Sequence, residues 1–369
     1  MAQISIRAYP WPKKYRFHGT KEPPLNPQPE TLLQHVAAAR SVAELSRLAE
    51  ALTGLWLAAA HDQEPAALGV MVSDVADAIT RRLLIMAEEC IGPPPVSYAW
   101  IAYGSQGRRE LTLNSDQDNA LVLDDRYEPS LHGDYFAAMG EAVCDGLAAC
   151  GFIHCPGDMM ASNPRWRMRQ ADWCSTFADW ITACDPQKAR LAGNFFDLRH
   201  IHGDHGLVAP LENTIRALCP KHDSLLAHWV ANANSAPSAL GIFRRFITDH
   251  NGLLDLKRAA IIPLVELARI HCLAAGTDTC GTTQRLVLAG GRRWLSSAGA
   301  KELGEAFGFT LGLRVRQQRL ALMQGKPAGN LVDPATLTAG EQERLRGILG
   351  LIALHQRALL QAYPYMTTR

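Results

Sequence analysis

The stretch "YGSQGRRELTLNSDQDNALVL", Tyr103 to Leu123, sets a Gly-Ser turn ahead of an Asp-Gln-Asp, between two short apolar runs. In a strand, residues two apart point to the same face, so Asp116 and Asp118 are expected to project together. Two carboxylates that close repel each other unless something positive lies between them. Hard divalent cations such as magnesium take oxygen ligands and bind through one or two carboxylates plus substrate phosphates. Gly104 and Ser105 offer those phosphates a seat, because glycine lets backbone approach closely and frees amide N–H groups. Arg108 and Arg109 add charge suited to phosphate. Together these residues suit holding a nucleoside triphosphate while its α-phosphorus is attacked. Asp-x-Asp alone is common and strand-end carboxylates are usually just solvated, so the conjunction carries the reading.

The flanking segments must position this chemistry. "VSYAWIAY" and "NALVLDD" read as neighbouring strands joined by a long functional loop. Before them, residues 30–95 carry apolar residues at spacings of three and four, which predicts amphipathic helices, and "GPPP" at Gly92 to Pro95 stops the last one. Residues 1–29, rich in proline and aromatics, read as an extended arm. From 96 to 212 helical segments ("YFAAMGEAVCDGLAAC", "DWCSTFADWITA", "LVAPLENTIRALC") mix with strands, including one in "RLAGNFFDLRHIHGD". Residues 213–369 are read as long amphipathic segments joined by short Gly, Asn and Pro-containing turns, as in an antiparallel bundle; "ALGIFRRFITDH" is counted among them. The expected fold is α+β and predominantly helical: a small mixed-sheet catalytic domain between N-terminal helices and a C-terminal bundle.

Thirty-seven Lys and Arg against 36 Asp and Glu leave a net charge of +1, so no bulk attraction to nucleic acid or membrane is implied. No signal peptide or membrane span is legible, and a cytoplasmic location is expected. Nine cysteines, an odd number with no C-x-x-C pair, fit free thiols better than a disulfide framework or a zinc knuckle.

"GSQGRRELTLNSDQDNALVL" resembles the signature of the nucleotidyltransferase superfamily, a Gly-Ser followed by Asp-x-Asp in a strand. It is most similar to the PII uridylyltransferase and glutamine synthetase adenylyltransferase branch, whose motif also carries Gly-Arg-x-Glu and Ser-Asp, here including Arg108 and Ser115. "CPGDMMASNPRWR" and "FFDLRHIHGD", then "FRRFITDHNGLLDLKRAAIIPLVELARIH" and "LRVRQQRLALMQGKPAGNLVDP", look like bacterial nucleotidyltransferases of the DUF294 type. That resemblance implies a third carboxylate on a later strand, Asp197 in "FFDLR", with Asp158 and Asp204 as alternatives and a salt bridge to Arg199 as the structural explanation. It further implies two magnesium ions, or manganese, held by Asp116, Asp118 and Asp197. Gly104, Ser105, Arg108, Arg109 and Ser115 would bind ATP or UTP, and the resemblance points to uridylylation or adenylylation of a protein, with a small-molecule or nucleic-acid acceptor as alternatives, the near-neutral charge giving no support for long nucleic acid. A non-catalytic nucleotide sensor is the competing reading.

Other residues invite chemistry less strongly. His200, His202, Asp204 and His205 lack a fixed ligand spacing for a transition metal. Arg165, Arg167 and Arg169 beside Trp166 could grip phosphate and base, or form a solvated basic edge. Arg244, Arg245, Asp249, His250 and Lys257 are candidates for reaching the cleft from the bundle, as is "LRVRQQR".

Overall fold

The computed structural model describes residues 29–363 except 183–184, 186–187, 190–191, 236–238, 242–243 and 278. The expected arm over 1–29 falls, all but its last residue, outside the described residues. Three helices open the fold, α1 (Pro29–Ala38), α2 (Val42–Ala59) and α3 (Pro65–Ile91). Ser41 caps α2 by accepting from Glu44 N, and Leu45, Leu48, Leu52 and Leu55 form its buried stripe. Helix α3 begins on a proline, which has no N–H to strand, and ends at Gly92, whose φ of 93° takes the chain out of the helix.

A four-stranded sheet follows, in the order β5 (Arg167–Arg169), β3 (Asn119–Leu123), β1 (Tyr98–Ala102), β6 (Arg199–Gly203). β1 is antiparallel to both β3 and β6, and β3 runs parallel to β5. A second pair, β2 (Asp116–Gln117) and β4 (Ile153–His154), is parallel. Helix α4 (Pro129–Ala149) separates β3 from β4, and α5 (Gln170–Thr182) follows β5.

β1 and β3 are buried along their whole length, which is why, apart from the hydrogen-bonded Asn119, their sequences are apolar runs rather than alternating ones. Ala99, Ile101, Tyr103, Ala120 and Val122 face a core shared with the C-terminal helices. Tyr98, Trp100, Ala102, Leu121 and Leu123 face one shared with α1–α3 and α4. The sheet is thus the middle layer between two helical layers, as an α+β, mainly helical chain requires.

The C-terminal helices are α6 (Ala209–Leu218), α7 (Asp223–Ser235), α8 (Ile262–Ala274), α9 (Thr282–Ala289), α10 (Ser297–Met323) and α11 (Ala339–Ala362). The "ALGIFRRFITDH" segment departs from its expected helix. Its described residues hold an isolated bridge between Leu240 and Phe246, and Arg244 takes a positive φ of 58°, as does Gly252 just beyond it at 78°. Positive φ cannot be accommodated in a right-handed helix. Helix resumes only after a short antiparallel pair, β7 (Leu254–Asp255) with β8 (Leu331–Val332), and it begins as a π-helical turn over Lys257–Ile261.

Candidate active site

The Gly-Ser turn forms as β1 ends. Gly104–Gly107 make a single helical turn, with Gly104 at φ 60°. A Cβ on Gly104 would lie 2.5 Å from Asp118 Oδ2, so both conformation and space demand glycine there. Tyr103 N donates to Asp118 O at 3.1 Å, which ties the turn to the acidic strand. The glycine and the carboxylates are therefore face to face across a backbone contact.

The acidic strand sorts its side chains by alternation. Gln117 donates to Cys144 O and Phe152 O at 2.9 and 3.1 Å; Asn119 bonds Gln117 and accepts from Ala161 N. These buried amides lock one side of the strand, and Asp116 and Asp118 are left for the other. Asp116 keeps partial exposure, whereas Asp118 is only 6% exposed. Burial, then the charge of Asp116, raises the Asp118 pKa from 3.8 to about 6, although the thiol of Cys155 and the cations Arg108 and Lys257 pull against the rise. Asp118 Oδ1 is buried and has no hydrogen-bond partner. An orphaned carboxylate oxygen beside a second carboxylate is costly alone and is what a bound cation would satisfy. Asp116, Asp118 and Cys155 each present a ligand atom within 4.8 Å of the others, a spacing that fits one divalent ion.

Cations from the C-terminal helices reach the same place. Lys257, on the π-helical turn, puts Nζ 4.0 Å from Asp116 Oδ1; such turns recur at functional sites. Arg314, on α10, is buried with Nε unpartnered. Desolvation brings its pKa down to about 10, against the opposing charges of Asp255 and Asp116. One turn on, Gln318 reaches Thr112 Oγ1 at 3.5 Å while its Oε1 has no partner.

The remaining predicted residues are placed elsewhere or engaged otherwise. Asp197 ends a 3-10 turn (Gly193–Asp197) just before β6 and is fully buried. Its Oδ1 accepts from Arg269 Nε at 3.0 Å and from Arg285, and its Oδ2 from Arg269 Nη2 at 2.6 Å and Arg108 Nη1 at 2.5 Å. Burial would raise its pKa, but the three guanidiniums outweigh burial and hold it well below the usual carboxylate range. It is not brought into the cluster with Asp116 and Asp118. Arg199 pairs with Asp77 instead, at 2.6 Å.

Arg108 bridges Asp197 and Glu110, the latter at 2.7 Å, and Arg109 pairs with Asp74 on α3. Ser115 Oγ accepts from Thr112 N at 3.0 Å, closing the loop ahead of Asp116. Ser105 O accepts from Glu110 N, so Ser105 stays in the turn beside Gly104. A cavity of about 610 Å³ opens among Trp56, Leu68, Arg108, Glu110 and Leu311, but none of Gly104, Ser105, Asp116 and Asp118 lines it.

Asp204 caps the next turn and Asp158 sits in a loop with Asn163. No metal-holding group forms around His200, His202 and His205 among the described residues. Trp166 is buried and donates to Asp158 O, and Arg167 spends its donors on Ala161 O and Ser162 O. Of the bundle candidates, Lys257 arrives, whereas Arg244 pairs with Glu343 and Asp249 caps its own loop. Sequence reasoning assigned no role to Cys155. Its signal was the "CPGDMM" loop, but only the β2–β4 pairing shows where that loop goes.

A carboxylate pair thus sits against a glycine turn, with Lys257 facing it from the C-terminal helices. The family described as "Putative nucleotidyltransferase DUF294" matches residues 34–187, and "Putative nucleotidyltransferase substrate binding domain" matches residues 223–363. Together they cover most of the chain, which belongs to the DUF294 nucleotidyltransferases. No curated protein matches it. Among the described residues no helix is long and apolar enough to cross a membrane.

Proposed function

We propose that the protein transfers a nucleoside monophosphate from ATP or UTP to an acceptor hydroxyl on a protein and releases pyrophosphate. The observation that carries this reading is Asp118: a buried carboxylate with an orphaned oxygen, set between Asp116 and the Gly104 turn. Magnesium bound there would offset the charge of the triphosphate and of the leaving pyrophosphate. Asp116 and Asp118 hold that cation. Gly104 and Ser105 let the triphosphate approach the backbone, and Lys257 and Arg314 meet it from the opposite wall. The unit over 96–212 thus supplies the carboxylates, and the helices after it supply the counter-charge and a place for the acceptor.

Asp197 serves in this scheme as an anchor. It fastens the catalytic turn, through Arg108, to Arg269 on α8 and Arg285 on α9. The same observation favours a second reading, a nucleotide sensor without transfer, because it leaves the site with two carboxylates rather than three. Incubation with each α-labelled nucleoside triphosphate, magnesium and lysate separates the two. Label covalently attached to an acceptor, abolished in Asp116→Asn, is expected of the enzyme. Tight nucleotide binding with neither labelled acceptor nor pyrophosphate would leave the sensor.

A further inference from the structure

The parallel pairing of β2 with β4 sets Asp116 opposite Ile153 and Gln117 opposite His154. Continuing by one residue brings Cys155 alongside Asp118. Cys155 is partly buried, and its backbone is fixed by the turn in which Asp158 N donates to Cys155 O at 2.9 Å. Its sulfur belongs to the cluster whose ligand atoms all lie within 4.8 Å of one another. Bonds of about 2.0–2.3 Å to carboxylate oxygen and thiolate sulfur require ligand atoms within roughly 4.4 Å of one another, so small side-chain rotations bring these three onto one ion. Independently, Asp118 Oδ1 in this cluster is buried and has no hydrogen-bond partner, and the one cation paired with the group among the described residues, Lys257, stands 4.0 Å away on Asp116.

We propose that Cys155 Sγ is the third protein ligand of the cation site formed by Asp116 and Asp118. This rests on reading that pair as a cation site. A thiolate changes which ions the site favours. Carboxylates alone suit magnesium and manganese, and sulfur shifts preference toward zinc and cadmium. On coordination the thiol proton leaves to solvent as the sulfur–metal bond forms, so one proton is released per thiophilic ion bound. The site therefore accepts magnesium through its oxygens and is captured by zinc-like cations through its sulfur.

The test uses the full chain stripped of metal with a chelator. Cadmium is titrated while the ultraviolet thiolate-to-cadmium charge-transfer band is recorded, and manganese binding is followed by the loss of its free-ion electron paramagnetic resonance signal. The wild type should give a saturable band at one cadmium per chain and should also bind manganese. Cys155→Ser should lose that band and weaken cadmium binding at least about tenfold, the low end of what losing even a hydrogen-bond partner of a ligand costs, while still binding manganese. Cys155→Asp should lose the band and bind manganese more tightly, which guards against a merely misfolded serine variant. Manganese binding with an unchanged cadmium band in Cys155→Ser would overturn the assignment of Cys155 alone. Failure of the wild type to bind either ion would overturn the carboxylate-pair reading together with it.

Discussion

Asp118 and Asp197 are both buried aspartates, one at the acidic strand and one at the turn before β6, yet their surroundings are opposite. Asp197 accepts four donors from three arginines, Arg108, Arg269 and Arg285. Asp118 faces another carboxylate, leaves an oxygen without a partner, and has its pKa pushed up to about 6. In the first place the fold supplies all the positive charge. In the second it supplies too little, with Lys257 standing 4.0 Å from Asp116. Burial is common to both carboxylates; the shortage of counter-charge sets Asp118 apart.

That contrast is easiest to break at Asp197. Replacing it by Asn leaves the buried Arg269 and Arg285 without their charge partner, and removing one partner of a buried ion pair costs about 3–5 kcal/mol. Denaturant unfolding should show a loss of that order. A change near zero would mean that water reaches these guanidiniums and that the anchor is weak.

The counter-charge on the bundle side is expected to have the next largest effect. Arg314→Met removes a buried donor whose Nε has no protein partner. Hydrogen bonds to charged groups contribute about 1.5–3 kcal/mol, so magnesium–triphosphate affinity should fall about 10–100-fold with stability little changed. Calorimetry reads the affinity, and an unchanged value would place the phosphates away from α10.

A third effect distinguishes Asp118 by sign. Its pKa is higher folded than unfolded, so in chelator the native state holds the proton more tightly and stability falls as pH rises from about 4 to about 6. Asp118→Asn escapes this penalty. At pH 7 without metal it should be more stable than the wild type by at most about 3 kcal/mol, from a rise of about two pKa units at 1.36 kcal/mol per unit, and the gap should close below pH 4. Thermal melts across this range check it. Adding magnesium should stabilise the wild type and not the variant.

Much of the fold could be read from the chain, because β1 and β3 are sealed on both faces and show as apolar runs, while α2, α10 and α11 carry their helical periods openly. The Gly104–Asp118 contact was also legible, since Gly-Ser and Asp-x-Asp flank one loop. What stayed hidden depends on residues far apart in sequence. Arg269 and Arg285 lie 72 and 88 residues beyond Asp197, and no local pattern announces that they converge on it. Cys155 is delivered by a two-residue parallel pairing too short to leave a strand signature. The irregular chain around Arg244 has helical spacing but a backbone turned by positive φ, so periodicity misled there.

The central claim is that Asp116 and Asp118 await a cation that brings in a triphosphate. Titrating ATP and UTP into the full chain by calorimetry, with magnesium and then with chelator, tests it most directly. The account predicts binding of at least one of them with magnesium, lost in chelator and lost again in Asp118→Asn. Equal affinity after chelation, or no binding of either triphosphate with magnesium present, would contradict it.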